Sequence, residues 1–264
     1  MKKFIVFFLV VPFFLWLPYG FKRWAHPFRL NKCAIEWPNN PEWEIPGDPP
    51  PWIVDLFQKP FTYFSRGRQT YVFLSSDGNY VLKLFRFDSY QKGKGSKIFK
   101  NIQKWMGYHP KENVRSFEER VPMTFHSCHL SHVLAPHLTG VVWTHLNPKN
   151  GKFPLFIVKN RLGQKFKVDP SQYRFIIQKK GISLKEALLK LDRKGLIDSY
   201  KLLLEELKSL GLSSQDPKLG DNFGVLDGKV IAMDVGDFVQ TADFPDSEIP
   251  NYINRLNQWL EKND

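Results

Sequence analysis

Cysteine is almost absent from this chain: Cys33 and Cys128 are the only two in 264 residues. That excludes a disulfide framework and any CxxC metal knuckle, and leaves room for a single bridge at most. Carboxylates are also scarce, with 26 Asp and Glu against 38 Lys and Arg, for a formal charge of +12. The cations are spread along the chain rather than gathered in one tail. No RNP-type, zinc-finger or helix-turn-helix signature accompanies them, which argues against nucleic acid as the partner. Internal repeats are absent. What is present is apolar material, 42% hydrophobic and 15% aromatic, enough for a sizeable core in one domain of two lobes or in two small domains.

The first segment is distinctive. Lys2 and Lys3 precede an uncharged run from Phe4 to Tyr19 that ends at Lys22 and Arg23, the pattern of a membrane anchor or of a cleaved signal. No small-residue cleavage site follows, which favours the anchor. Lys22, Arg23, Arg29 and Lys32 outnumber Lys2 and Lys3, so the positive-inside rule places the globular part on the cytoplasmic side, whereas an ordinary signal anchor or a cleaved signal would export it. A second basic feature lies further on. Lys92, Lys94, Lys97, Lys100 and Lys104 surround Ile98, Phe99, Ile102 and Trp105 at near-helical spacing. Beside an anchor, such a stretch suits anionic lipid; alone, it suits a solvated helix face.

From Trp37 to Trp52 the run WPNNPEWEIPGDPPPW predicts an extended linker. The chain therefore divides into an anchor or signal segment (1–23), a Pro/Trp-rich linker (24–55), a sheet-rich lobe (56–180) and a short helical lobe (181–264). Thr70 to Leu74, the turn Ser75-Ser76-Asp77-Gly78 and Tyr80 to Phe87 predict a hairpin. On its return strand Val81, Lys83 and Phe85 share one face, and a lysine between two apolar neighbours invites a partner. A helix is expected from about Arg120 to Leu138, then strands over Val141–His145, Leu155–Val158 and Tyr173–Gln178. After Gly181 the pattern becomes helical, with a Ser183/Glu186 capping box and an apolar stripe from Leu196 to Leu210 that stops at Gly211. Asn222 opens a second hairpin, Phe223–Leu226 and Val230–Met233, and a last helix runs from about Ile249 to Leu260.

The chemistry gathers between Asp216 and Gly236, in DPKLGDNFGVLDGKVIAMDVG. A carboxylate, an amide six residues on, a hairpin and Asp234-Val-Gly supply hard oxygen donors and a base, as a magnesium phosphate complex requires. Read alone, the stretch is equally a polar loop before an ordinary hairpin.

The joint order of Lys83, Gly181, Asp216, Asn222 and Asp234 resembles the protein-kinase-like superfamily over roughly residues 60–240. The resemblance implies a two-lobed α+β fold with an antiparallel N-terminal sheet and a shortened helical C-terminal lobe. It implies ATP and magnesium as cofactors. Lys83 would hold the phosphates, Asp216 would take the hydroxyl proton, and Asp234 with Asn222 or Asp221 would bind the metal. Ser65–Gln69, with Gly67, would cover the phosphates, and Phe175–Gly181, with Gln178, would form the last strand and hinge over the adenine, with Val81 above the ring. Several positions depart from the family. Asp221 stands where it has Asn, Ser214-Gln215 replace its His-Arg, Val81 replaces a small alanine, and Gly67 is a lone glycine. Glu118 and Glu119 sit too early on their helix to pair clearly with Lys83, and only Asp237–Asp264 follow Gly236. The resemblance thus admits an active phosphotransferase or an inactive pseudokinase that serves as a binding module. A basic membrane-surface protein is the reading without the fold. His126, His129 and His132 recur at helical spacing and suit either a metal site or ordinary helix histidines.

Overall fold

The computed structural model describes residues 28–34, 36–88, 116–148, 152–214, 218–241 and 248–263, with Asp221 as backbone only. The apolar run Phe4–Tyr19, the stretch Lys92–Lys104 and Asp216 lie outside these residues. Among the described residues, no helix is long and apolar enough to cross a membrane.

A seven-stranded sheet organises the larger lobe. Its strands are β1 (Phe61–Arg66), β2 (Thr70–Leu74), β3 (Tyr80–Phe85), β4 (Val141–His145), β5 (Phe156–Lys159), β6 (Lys165–Val168) and β7 (Phe175–Lys179). They lie in the order β4-β7-β3-β2-β1-β5-β6. All pairings are antiparallel except β1 with β5. The alternation seen in Tyr80-Val81-Leu82-Lys83-Leu84-Phe85 sends Leu82 and Leu84 to one face and Val81, Lys83 and Phe85 to the other. Sequence reading starts this sheet at Thr70. It misses β1, whose Phe61 and Tyr63 are buried while Phe64 is exposed, and it misses the short edge strand β6.

The back face carries an aromatic slab. Phe57 packs against Phe153, Phe156 and Phe175 with ring centroids 4.9, 4.8 and 5.6 Å away, and Phe61, Phe73, Leu82, Val158 and Ile177 complete the layer. The proline-rich segment lies on this core and does not hang as an extended linker. Phe28, Cys33 and Ile53 are buried in the slab, Pro51–Leu56 forms a short helix, α1, and Trp43 crosses to the other core, with its ring 5.2 Å from Phe125. The Lys152 ammonium donates to Glu44 Oε1 and to the carbonyls of Ile45 and Gly47. Buried Arg174 donates to the carbonyls of Leu146 and Trp37. Prolines open its short helical turns, and its aromatic and aliphatic side chains gain more by burial than by exposure.

The front face packs on α2 (Phe117–Val133). Ser116 and Glu119 close a capping box at its start, so the helix begins three residues before the sequence expectation. It ends at Leu134, because Pro136 opens the separate turn α3 (Pro136–Thr139). Beyond β7 come β8 (Ile182–Ser183), α4 (Leu184–Leu188), α5 (Arg193–Ser209), β9 (Leu212–Ser214), α6 (Leu219–Asn222), β10 (Phe223–Leu226), β11 (Lys229–Ala232), β12 (Phe238–Gln240) and α7 (Glu248–Asn263). Ser183 caps α4 by accepting from Glu186 N–H. Gly211 follows α5 at φ 65°, a left-handed end that glycine adopts without strain. Leu196, Tyr200, Leu203 and Leu207 of α5 share one core with Leu256 and Leu260 of α7.

His145 is a buried titratable group within this frame, 4% exposed. Its Nε2 lies 3.0 Å from the Pro170 carbonyl, which only accepts, so Nε2 carries the proton of the neutral ring. Burial lowers its pKa from 6.5 to about 4; the Pro170 bond opposes that shift, and the Arg174 charge adds to it. The stability this neutral histidine contributes is complete above its unfolded pKa near 6.5 and falls as pH drops toward about 4. Urea unfolding should therefore show a loss of about 2 kcal/mol between roughly pH 7 and pH 5 from this group. His145→Gln should remove that part of the slope.

Candidate active site

A cleft of about 590 Å³ separates the front of the sheet from the helical lobe. Val81, Lys83, Ile176 and Gln178 line it from the sheet, the Ser65–Thr70 turn from above, Thr124 and Cys128 from α2, and Asn222 and Met233 to Asp237 from below. Residues from six separate stretches of the chain thus converge on one cleft, Lys83, Asn222 and Asp234 among them. Asp216 lies outside the described residues, and nothing is stated for the Asp221 side chain.

The cleft floor is a turn held by backbone carbonyls. Asn222 ends α6, and its carbonyl accepts from the N–H groups of both Met233 and Asp234 at 2.7 and 3.1 Å. The β10–β11 hairpin makes this possible, since it brings Asn222 beside the end of β11 with Phe223 opposite Ala232. Gly224 is required there: a Cβ on it would collide with the Ile182 carbonyl and the Met233 sulfur. The Met233 carbonyl in turn accepts from Lys83 Nζ at 2.6 Å and from Gln178 Nε2 at 3.2 Å. Gln178 also donates to the Thr139 carbonyl at 2.6 Å. Its amide N–H groups are therefore committed to backbone.

Lys83 is a buried ionisable group in this setting. Burial pulls its pKa below the usual lysine value, and the Asp234 carboxylate opposes that shift. Among the described residues, its partner is not a glutamate but the Met233 carbonyl. Glu118 and Glu119 lie in the first turn of α2, and Glu119 is engaged with the Ser116 backbone. Further along α2, the positions over the cleft are Thr124 and Cys128, and burial pushes the Cys128 thiol pKa up, so it supplies no charge. Asp234 is exposed to the cleft. One of its oxygens accepts from Gly236 N–H at 3.3 Å, and the other has no hydrogen-bond partner among the described residues.

Three contacts that sequence reading missed tie α2 to this floor. Ser127 Oγ donates to the Val235 carbonyl at 2.7 Å and accepts from Phe238 N–H at 2.6 Å. Cys128 Sγ lies 3.7 Å from the same Val235 carbonyl. Gln69, from the turn above, donates to Thr124 Oγ1 at 3.3 Å. The available signal was the small polar spacing Thr124, Ser127, Cys128, Ser131 on one helix face. The histidine pattern drew attention to other faces instead. His132 Nδ1 meets Thr144 Oγ1 at 3.2 Å, His126 is exposed, and no group of three metal-ligating side chains occurs among the described residues. Gly67 sits at the tip of the β1–β2 turn, where an added Cβ would make only ordinary contacts with Thr70.

Two substitutions probe this floor. Ser127→Ala leaves two buried backbone groups short of a partner and should lower stability on the order of 2 kcal/mol. Gly224→Ala should cost about 1–3 kcal/mol through overpacking. Both are read by denaturant titration, with m-values unchanged if the fold survives.

No protein-family model matches this chain. No curated protein matches it by sequence. Among solved structures, WbdD superposes with a TM-score of 0.45 at 16% identity, over 76% of this chain and 38% of that one. A further WbdD structure, described as a bifunctional kinase-methyltransferase, gives 0.45 at 15% identity over 76% and 39%. Rv3197 from Mycobacterium tuberculosis, in complex with erythromycin, gives 0.34 at 18% identity over 77% and 55%. This chain spans well under half the length of WbdD. The strand-rich lobe, the helix behind it, the helical lobe and the cleft between them together form a two-lobed α+β fold.

Proposed function

We propose that the cleft binds a magnesium nucleoside triphosphate and that the protein transfers its terminal phosphoryl group to a hydroxyl acceptor. The convergence of Lys83, Asn222 and Asp234 on one cleft carries this reading. Lys83 brings an ammonium to the phosphates, and its short bond to the Met233 carbonyl keeps it aimed at the cleft floor. Asp234 offers an uncommitted carboxylate oxygen to a hard cation, and Asn222 or Asp221 adds a further oxygen, the donor type magnesium prefers. Bound there, the metal would neutralise phosphate charge. Asp216 is the proton acceptor in this reading, Val81, Ile176 and Gln178 form the base-binding wall, and the Gly67 turn covers the phosphates. ATP use places the globular part on the cytoplasmic side of any membrane.

One observation favours a second reading, a nucleotide-binding module without transfer. Thr124 and Cys128 stand on α2 over the cleft where an ion pair with Lys83 would otherwise position the lysine. A pair of measurements on the full-length protein separates the two. Mg-ATP at about a hundred times its dissociation constant should stabilise the fold by roughly 2.7 kcal/mol, and Lys83→Ala or Asp234→Asn should remove that gain. Phosphate release or transfer that Asp216→Ala abolishes, with the stabilisation kept, supports the phosphotransferase. Stabilisation without turnover supports the binding module, and no stabilisation rejects both.

A further inference from the structure

The β5–β6 hairpin is an appendage that the cleft does not use. Lys159 on β5 stands directly opposite Lys165 on β6, and Ile157 stands opposite Lys167. All four point away from the aromatic slab, because Phe156, Val158, Phe166 and Val168 pack into it. Like charges placed opposite each other on neighbouring strands lower stability, and no described carboxylate forms an ion pair with these three lysines. The same face continues across β1, where Thr62 pairs with Lys159. It reaches Phe64, 50% exposed, with the Lys180 ammonium 5.7 Å from its ring. Leu162, at the hairpin turn, is 51% exposed.

Lysines on an edge strand commonly serve to block strand pairing between molecules. That role accounts for Lys165 and Lys167. It does not account for Lys159 on the inner strand, or for a large exposed Phe and Leu beside the cations. Basic and bulky apolar side chains side by side, with the Asp169 carboxylate feeling the Lys167 charge at one end, are the composition of a surface that sits at a lipid interface. Covalent geometry adds a second argument. Phe28, where the described chain begins, packs edge-to-face on Phe166 of β6 at 5.1 Å. Nine residue steps separate it from Tyr19, the end of the uncharged run, and such a segment reaches at most about 30 Å. If that run is held in a bilayer, the hairpin side of the domain is the side kept near it.

We infer that the outer face of the β5–β6 hairpin docks on an anionic membrane, with Lys159, Lys165 and Lys167 on lipid headgroups and Leu162 at the acyl boundary. Because the roof of the cleft belongs to the same sheet face, docking would hold the cleft mouth beside the membrane surface. The inference stands whether or not the cleft transfers phosphate.

The test uses full-length protein reconstituted with vesicles and labelled with an environment-sensitive dye at Leu162→Cys. Cys33 and Cys128 are buried, so the introduced thiol takes the label. Leu189→Cys, at a position 86% exposed on the other lobe, is the control. With phosphatidylglycerol in the vesicles, the label at position 162 should shift to the blue and brighten, and the label at 189 should not. Lys→Glu at 159, 165 and 167 should abolish the shift. Lys→Ala at the same positions should weaken docking by about fivefold per cation removed, near the 1 kcal/mol that each basic residue contributes at such a surface. An unshifted label at 162 overturns the inference. So does an equal shift with phosphatidylcholine alone, or a shift produced by an added oligonucleotide and not by anionic lipid.

Discussion

The Met233 carbonyl is the point on which the two lobes depend. It accepts from Lys83 and Gln178 of the sheet, while the N–H of the same residue donates to Asn222. A buried ammonium without a partner is costly enough to neutralise or to force a rearrangement, so the sheet cannot move away from this turn without exposing that cost. The same tie fixes Asp234, the next residue, and hence the carboxylate that faces the cleft. Gly224 allows the hairpin to approach closely enough for this geometry. One carbonyl thus links fold stability to the placement of the candidate chemistry.

The helix behind the cleft solves its positioning problem with hydroxyls instead of a carboxylate. Ser127 bridges the Val235 carbonyl and Phe238 N–H, and Thr124 meets Gln69 from the covering turn. These neutral bonds hold α2 against the Asp234 turn and add no charge to the site. Lys83 then depends on Asp234 for electrostatic support.

On the opposite face, the sheet is covered by parts of the chain that flank it in sequence. Phe28, Ile53 and Phe57 come from one side, and Phe153 and Phe156 from an insertion between β4 and β7. The back face is therefore buried along its length, whereas the front face is covered by α2 and the cleft at its centre and open over β1, β5 and β6. Phe28 packs on the slab side of the same hairpin whose outer face displays Lys159, Lys165 and Lys167.

Much of the architecture follows from the sequence by itself, since alternation in Tyr80–Phe85, the Ser183 cap, the stripe from Leu196 to Leu207 and the Asp227-Gly228 turn each specify local geometry through nearest neighbours. The order of Lys83, Asn222 and Asp234 was legible for the same reason, as Lys83 interrupts an apolar strand face and Asn222 and Asp234 flank a recognisable hairpin. What the sequence could not supply are pairings between distant segments. The proline-rich run reads as a linker because its backbone pattern is local, whereas its burial depends on a slab assembled from residues far along the chain. The Lys83 partner is a backbone carbonyl, which has no side-chain signature. β6 is a short strand that only its register with β5 makes visible. The residue types that carry charge and hydrogen bonds were set by sequence; which of them meet was decided by tertiary packing, because contact energies there depend on burial and distance, neither of which exists before the chain folds.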